Sequence, residues 1–258
     1  MKSFFSAALL SVVCWVSSAE AGEIAVAAAS DLNFAFKEAA AFFERQTGTH
    51  VKLSLGSSGN FFSQIQNGAP FDLFFSADIR YPQKLEEAGQ VVADSLYRYA
   101  IGRLVLWVPN RAGLPSPQDG LKMLTDGAIR TIAVANPKHA PYGRAAVEAL
   151  QRAGLYESVK GKLVLGENIS QAAQFVESGA ADAGLIALSL AVAPAMQQAG
   201  RYWEIPQALH EPIEQAAVVL KAGTNRDGAL AFLSFLKGQE GRNLLRRYGF
   251  VLPEAGAP

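Results

Sequence analysis

The sequence predicts an α/β fold with mainly parallel sheets, helices on both sheet faces, and two lobes. Three observations carry this. Short apolar segments alternate with amphipathic helical ones, the apolar segments are continuous, and one strand–loop–helix unit recurs in both halves of the chain. A continuous apolar strand is one buried on both faces, as in parallel sheets between helical layers. At 258 residues the chain exceeds what one compact doubly wound sheet needs, which favours two lobes.

The elements follow in order. Glu23–Ala29 is a first buried strand, ended by Ser30-Asp31. Leu32 to Gln46 places Leu32, Phe36, Ala39, Ala40 and Phe43 at helical spacing, with Ser30 or Asp31 as the natural N-cap. Thr49 to Leu55 is the second strand. It breaks at Gly56-Ser57-Ser58-Gly59-Asn60, becomes helical, turns at Asn67-Gly68-Ala69-Pro70, and re-enters a strand ending in Ser76-Ala77-Asp78. A short helix follows Tyr81-Pro82 and closes over Leu85 to Gly89, and Arg103 to Val108 is a strand stopped by Pro109-Asn110. Leu114 to Gly127 is loop and short helix. Thr131–Ala135 is a strand, Asn136 to Gly143 a loop, and Arg144 to Ala153 a helix. Leu163–Leu165 is a strand, Gly166 to Asn168 a loop, and Ile169 to Ser178 a helix, with Asn168 and Gln171 spaced as in a capping box. Ala183 to Leu188 and Ala217 to Leu220 are strands, and Gly228 to Arg247 is one C-terminal helix.

Residues 1–21 read as a secretory signal peptide: a basic start at Lys2, an apolar Phe4–Val16 stretch, and the small-residue site Ala19-Glu20-Ala21 with cleavage near Ala21. The protein is therefore expected to be exported to the periplasm. The single cysteine, Cys14, lies within this segment, and Val13 before it is bulkier than a lipid-attachment site uses. The mature chain is left without thiols, which excludes thiol catalysis, zinc–thiolate sites and disulfides. With 23 basic and 23 acidic residues, nothing points to nucleic acid. His50, His139 and His210 have no metal-ligand spacing. No GxSxG elbow or nucleophile–base pair suggests an enzyme.

Four strand-to-helix junctions share one chemistry: Ser30-Asp31, Ser57-Ser58-Gly59, Pro141-Tyr142-Gly143 and Asn168-Ile169. Each alone is equally well a turn that needs small polar residues. Two fall in each half, and in open α/β sheets ligands bind beyond the carboxyl ends of the strands. Four helix starts meeting between two lobes would present unpaired N–H groups and hydroxyls to an anion, without a fixed positive charge.

Ala27-Ala28-Ala29-Ser30, Gly56-Ser57-Ser58, Asn67-Gly68-Ala69-Pro70 with Asp72-Leu73-Phe74 and Ser76-Ala77-Asp78, Ala140-Pro141-Tyr142-Gly143 and Arg247-Tyr248-Gly249-Phe250 together resemble the periplasmic molybdate-binding proteins of ABC importers. The resemblance spans nearly all of the mature chain. It implies a type II binding-protein clamshell with two crossovers, near Leu106 to Val108 and near Gln215 to Ala217, so that 22–106 and 216–258 form one lobe and 107–215 the other. It implies a monomer that takes molybdate, and tungstate with it, and passes it to an ABC permease, with no cofactor and no catalysis.

The oxyanion ligands it implies are Ser30, Ser58, Tyr142 and Ile169 (through its N–H), with no side chain on the metal atom itself. Asp31, Ser57, Gly59 and Asn168 are expected around them. Some members carry a Tyr where this chain has Ala187; Tyr142 supplies a phenol from another loop. A carboxylate facing a dianion is costly, so Asp31 is expected to cap its helix with the side chain turned away. Arg144, one turn into its helix, is expected to be solvated rather than to neutralise the ion. Same-fold receptors for sulfate, chromate or ferric ion, and a secreted enzyme, are the alternatives.

Overall fold

The computed structural model describes residues 22–111 and 113–253, in which ten strands form two five-stranded sheets. Residues 1–21, expected from the sequence to be an export signal and including Cys14, lie outside the described residues. The first sheet holds β1 (Glu23–Ala29), β2 (His50–Gly56), β3 (Leu73–Ser76), β4 (Tyr97–Gly102) and β10 (Ile213–Val219), in the order β2-β1-β3-β10-β4. The second holds β5 (Leu104–Pro109), β6 (Ile132–Ala135), β7 (Leu163–Gly166), β8 (Ala183–Ala187) and β9 (Gly200–Glu204), in the order β7-β6-β8-β5-β9.

The two sheets share one plan. β1 pairs parallel with β2 and β3, and β6 with β7 and β8. The strand in fourth place runs against its neighbours on both sides: β10 against β3 and β4, β5 against β8 and β9. Each odd strand is the one that has just arrived from the other lobe. β5 belongs to the second sheet from Leu104 onward and β10 to the first from Ile213, so the crossovers fall at Arg103 and between Glu204 and Ile213. Both precede the expected positions. A continuous hydrogen-bonded ladder keeps a strand in one sheet, so a chain changes sheets only in the residues between strands.

Helices α1 (Asn33–Thr47), α9 (Arg226–Lys237) and α10 (Gln239–Arg247) are on one face of the first sheet. There Val26, Ala28, Leu73, Phe75, Ala217 and Val219 pack with Phe36, Phe43 and Phe232. Helices α2 (Ser58–Gln66) and α3 (Arg80–Glu87) are on the opposite face, where Ala27, Phe74 and Val218 meet Phe61, Ile65 and Leu85. Successive residues of the same strands thus feed two cores, which is why these strands carry no polar alternation. In the second lobe α4 (Pro141–Arg152), α5 (Tyr156–Val159), α6 (Ile169–Glu177), α7 (Leu188–Ala191) and α8 (Pro194–Ala199) accompany a core that includes Trp107, Val134, Leu150 and Leu185.

Two strands, β4 and β9, carry no continuous apolar run. Both sit at sheet edges, where one side needs no ladder and half-exposed polar residues are tolerated. The expected single helix over 228–247 is two: Gly238 ends α9 in an extended conformation (φ −69°, ψ 171°) and opens α10. No helix among the described residues is long and apolar enough to cross a membrane.

Candidate functional site

The carboxyl ends of β1, β2, β6 and β7 meet between the lobes around a small cavity of about 10 Å³. Its walls are Ala29, Ser30 and Asp31; Gly56, Ser57 and Ser58; Ala77; Ala140, Pro141 and Tyr142; and Ile169. All four junctions singled out in the sequence contribute to this cavity or its rim. Helices α2, α4 and α6 start there, and their first-turn N–H groups (Ser58, Tyr142 and Ile169 among them) have no intrahelical acceptor. Ser58 is fully buried, and its Oγ accepts a hydrogen bond from the Ala77 N–H at 2.9 Å. That bond occupies a lone pair and leaves the hydroxyl proton to be donated. None of the lining residues is cationic.

Ser30, Ser57, Gly59 and Asn168 join the two lobes at the rim. The Ser30 hydroxyl donates to Asn168 Oδ1 at 3.0 Å and accepts from the Ser170 N–H at 3.2 Å, while the Ser170 hydroxyl donates to the Ser30 carbonyl at 2.8 Å. Ser57 Oγ lies 2.8 Å from His139 Nδ1, the Gly59 N–H donates to the His139 carbonyl at 2.9 Å, and Asn60 Nδ2 donates to Glu167 Oε1 at 2.6 Å. Gly59 is required by this approach, since a Cβ there would lie 2.7 Å from the His139 carbonyl oxygen. Asn168 also caps α6, accepting from the Gln171 N–H at 3.1 Å. The return bond from Gln171 is accepted from Glu167 N, one residue earlier than a capping box places it.

Asp31 does not cap its helix. The chain enters α1 through a single 3-10 turn, Ser30–Leu32, with no side-chain cap bond, and the Asp31 side chain turns inward and is 1% exposed. Its Oδ2 accepts from Gln215 Nε2 at 2.7 Å and from the Tyr142 hydroxyl at 3.1 Å; its Oδ1 has no protein partner. The inward orientation is possible because the surrounding groups are neutral dipoles rather than charges. Burial pushes its carboxyl up to about 7 against the pull of the Gln215 and Tyr142 hydrogen bonds and, more weakly, of the Asp31 and Leu32 backbone N–H groups. The Tyr142 hydroxyl is therefore spent on Asp31 rather than free, and burial followed by the nearby carboxylate raises its own pKa well above the ordinary value. Gln215 completes the network, held through Oε1 by the Tyr99 hydroxyl at 2.7 Å. Sequence reasoning missed Gln215. It follows Glu214 at the start of an otherwise apolar strand, and only its 0% exposure marks it.

Beside the cavity a wider charged groove of about 610 Å³ runs between the lobes, lined by Asp78, Arg80, Arg144, Glu148, Glu211 and Glu214 among others. Arg144 is neither at the cavity nor simply solvated. It pairs with Asp78 of the other lobe and sits over the Tyr81 ring at 5.8 Å. Burial pushes the Asp78 carboxyl up, but the hydrogen bonds and charge of Arg80, with the charge of Arg144, outweigh it and hold it below the ordinary range. No group of three or more His, Cys, Asp or Glu among the described residues could hold a metal ion.

Residues 24–251 match the family described as bacterial extracellular solute-binding protein. The chain is 43% identical over 235 residues to the molybdate-binding protein ModA of Azotobacter vinelandii, covering 91% of this chain and 92% of that one. It is 42% identical over 233 residues to the protein of the same name from Rhodobacter capsulatus, covering 90% of each. The solved periplasmic molybdate-binding protein of Azotobacter vinelandii superimposes with a TM-score of 0.83 at 37% identity, over 90% of this chain and all of that one. A sulfate-binding protein of Mycobacterium tuberculosis, at 16% identity and a TM-score of 0.73, shares the fold. The chain belongs to the bacterial extracellular solute-binding proteins, among their periplasmic molybdate-binding members.

Proposed function

We propose that the protein captures molybdate, and tungstate with it, in the cavity between its lobes and delivers it as a monomer to the permease of an ABC importer. Residues 1–21 would be removed on export, and the mature protein would work in the periplasm. The observation that carries the reading is the cavity itself: set between the lobes, ringed by helix starts from both of them and by the buried Ser58 hydroxyl, and without a cation. Ser58 would bind through its hydroxyl and N–H, Ile169 and Tyr142 through their N–H groups, and Ser30 from the rim. Asp31, Ser57, Gly59 and Asn168 would support them.

A buried dianion is tolerable only when each oxygen meets a donor. Helix N-termini supply such donors together with a favourable dipole. Neutral donors also suit release, because a fixed Arg would hold a dianion more tightly than transport can use. Selection against sulfate would come from size. A smaller tetrahedron cannot reach every donor of a rigid ring at once, and each missed charge-assisted bond costs about 1.5–3 kcal/mol. The chemistry is capture and release rather than catalysis.

A thermal-shift panel of molybdate, tungstate, sulfate and phosphate tests this. A specific anion at 100 times its dissociation constant adds about 2.7 kcal/mol of stability, and molybdate and tungstate should give that shift. A shift with sulfate and none with molybdate overturns the assignment.

A further inference from the structure

Asp31 is the one acid on the wall of a cavity read as an anion site, and its two oxygens differ. Oδ2 is a double acceptor, taking the Gln215 amide and the Tyr142 hydroxyl. Oδ1 is buried and without a protein partner, on a residue that lines the cavity. A carboxylate there would set an acceptor against an acceptor. A carboxylic acid protonated on Oδ1 keeps both bonds to Oδ2 and turns Oδ1 into a donor.

We propose that Asp31 binds the oxyanion as the neutral acid, donating from Oδ1, so that capture of each dianion takes up one proton. This rests on the anion-binding reading above. The step balances simply: solvent supplies a proton to Asp31 as the dianion enters, and the same proton leaves when the ion is released.

The neighbours permit it. Tyr142 on α4, Tyr99 on β4 behind Gln215, and Ser189 on α7, which donates to the Asp31 carbonyl at 2.7 Å, are all neutral. The imidazole at the rim, His139, is engaged with Ser57. Among the described residues no Lys or Arg hydrogen-bonds the Asp31 carboxyl. Burial already favours the proton, with the carboxyl at about 7 before any anion is present, and an adjacent dianion favours it further.

Calorimetric titration of molybdate at pH 8, in buffers of different ionisation enthalpy, tests the proposal. Molybdate itself is fully a dianion at that pH. The expected result is uptake of close to one proton per ion, with a dissociation constant rising toward tenfold per pH unit between pH 7.5 and 9. Asp31→Asn places an amide donor where the acid stood. It should bind molybdate with no proton uptake and a flat pH profile, whereas Asp31→Ala should bind more weakly at every pH. Binding by the native protein without proton uptake overturns the Asp31 assignment alone. An Asn variant as pH-dependent as the native protein does the same. No binding of molybdate or tungstate at any pH overturns the anion-site reading and this inference together.

Discussion

At the scale of the residue, Ser58 and Asp31 are two kinds of buried polar group. Ser58 has its lone pair committed to Ala77, so its proton is oriented before any ion arrives. Ser58→Ala removes one charge-assisted bond of about 1.5–3 kcal/mol, which weakens molybdate binding by about ten- to a hundredfold at 1.4 kcal/mol per decade. Calorimetry should show this loss without a change in fold, and an unchanged affinity would remove Ser58 from the site. Asp31 has a stability consequence of its own. Its carboxyl rises from 3.8 to about 7 on folding, mainly through burial, so between those values the folded chain binds more protons than the unfolded one. Its contribution is complete below about pH 4 and is lost as pH rises through 7. A shift of this size corresponds to about 4 kcal/mol at most. The melting temperature of unliganded Asp31→Asn should therefore gain on that of the native protein from pH 5 to pH 8. A constant difference would mean that Asp31 is solvated. The sequence marked Ser58 by its place at a helix start. It could not orient Asp31, because a Ser-Asp pair before a helix is an equally good cap when no tertiary partner is known.

At the scale of the element, the site is made by where helices begin. Helix α2 opens beside the other lobe, and Gly59 in its first turn lets the His139 backbone approach. Gly59→Ala improves the intrinsic helix propensity of α2 but obstructs closure. It should leave the unliganded melting temperature nearly unchanged and weaken molybdate binding; equal affinity would mean that this contact is not needed for the bound state. Strands β1, β3, β6 and β8 were legible as buried runs because both of their faces are covered. The edge strands β4 and β9 were not, since YRYAIG and GRYWE mix polar and apolar residues as half-exposed segments do. The break at Gly238 within an otherwise helical pattern was equally invisible, because a lone Gly in a helix is a tolerated cost until the packing of α10 demands a turn.

At the scale of the whole molecule, the contacts across the cleft (Ser30 with Asn168 and Ser170, Ser57 and Gly59 with His139, Asn60 with Glu167, Asp78 with Arg144) describe a closed clamshell. Several of these bonds are exposed and individually weak, so an ion bridging the helix starts of both lobes would shift the population toward closure. Small-angle scattering should show a smaller radius of gyration with saturating molybdate than without. Identical profiles would mean that the lobes are already locked together.

The sequence by itself determined the α/β class, the two-lobe plan and the four loops that meet at the cavity, because hydrophobic period and turn chemistry are local properties of the chain. Tertiary structure alone decided that Ser30 and Ser57 tie the lobes, that Arg144 reaches Asp78, and that Asp31 faces Tyr142 and Gln215. Those partners lie 111 and 184 residues from Asp31 along the chain. Whether a buried acid is a cap, a charge or a proton carrier depends on the dipoles placed around it, and the two crossovers place them.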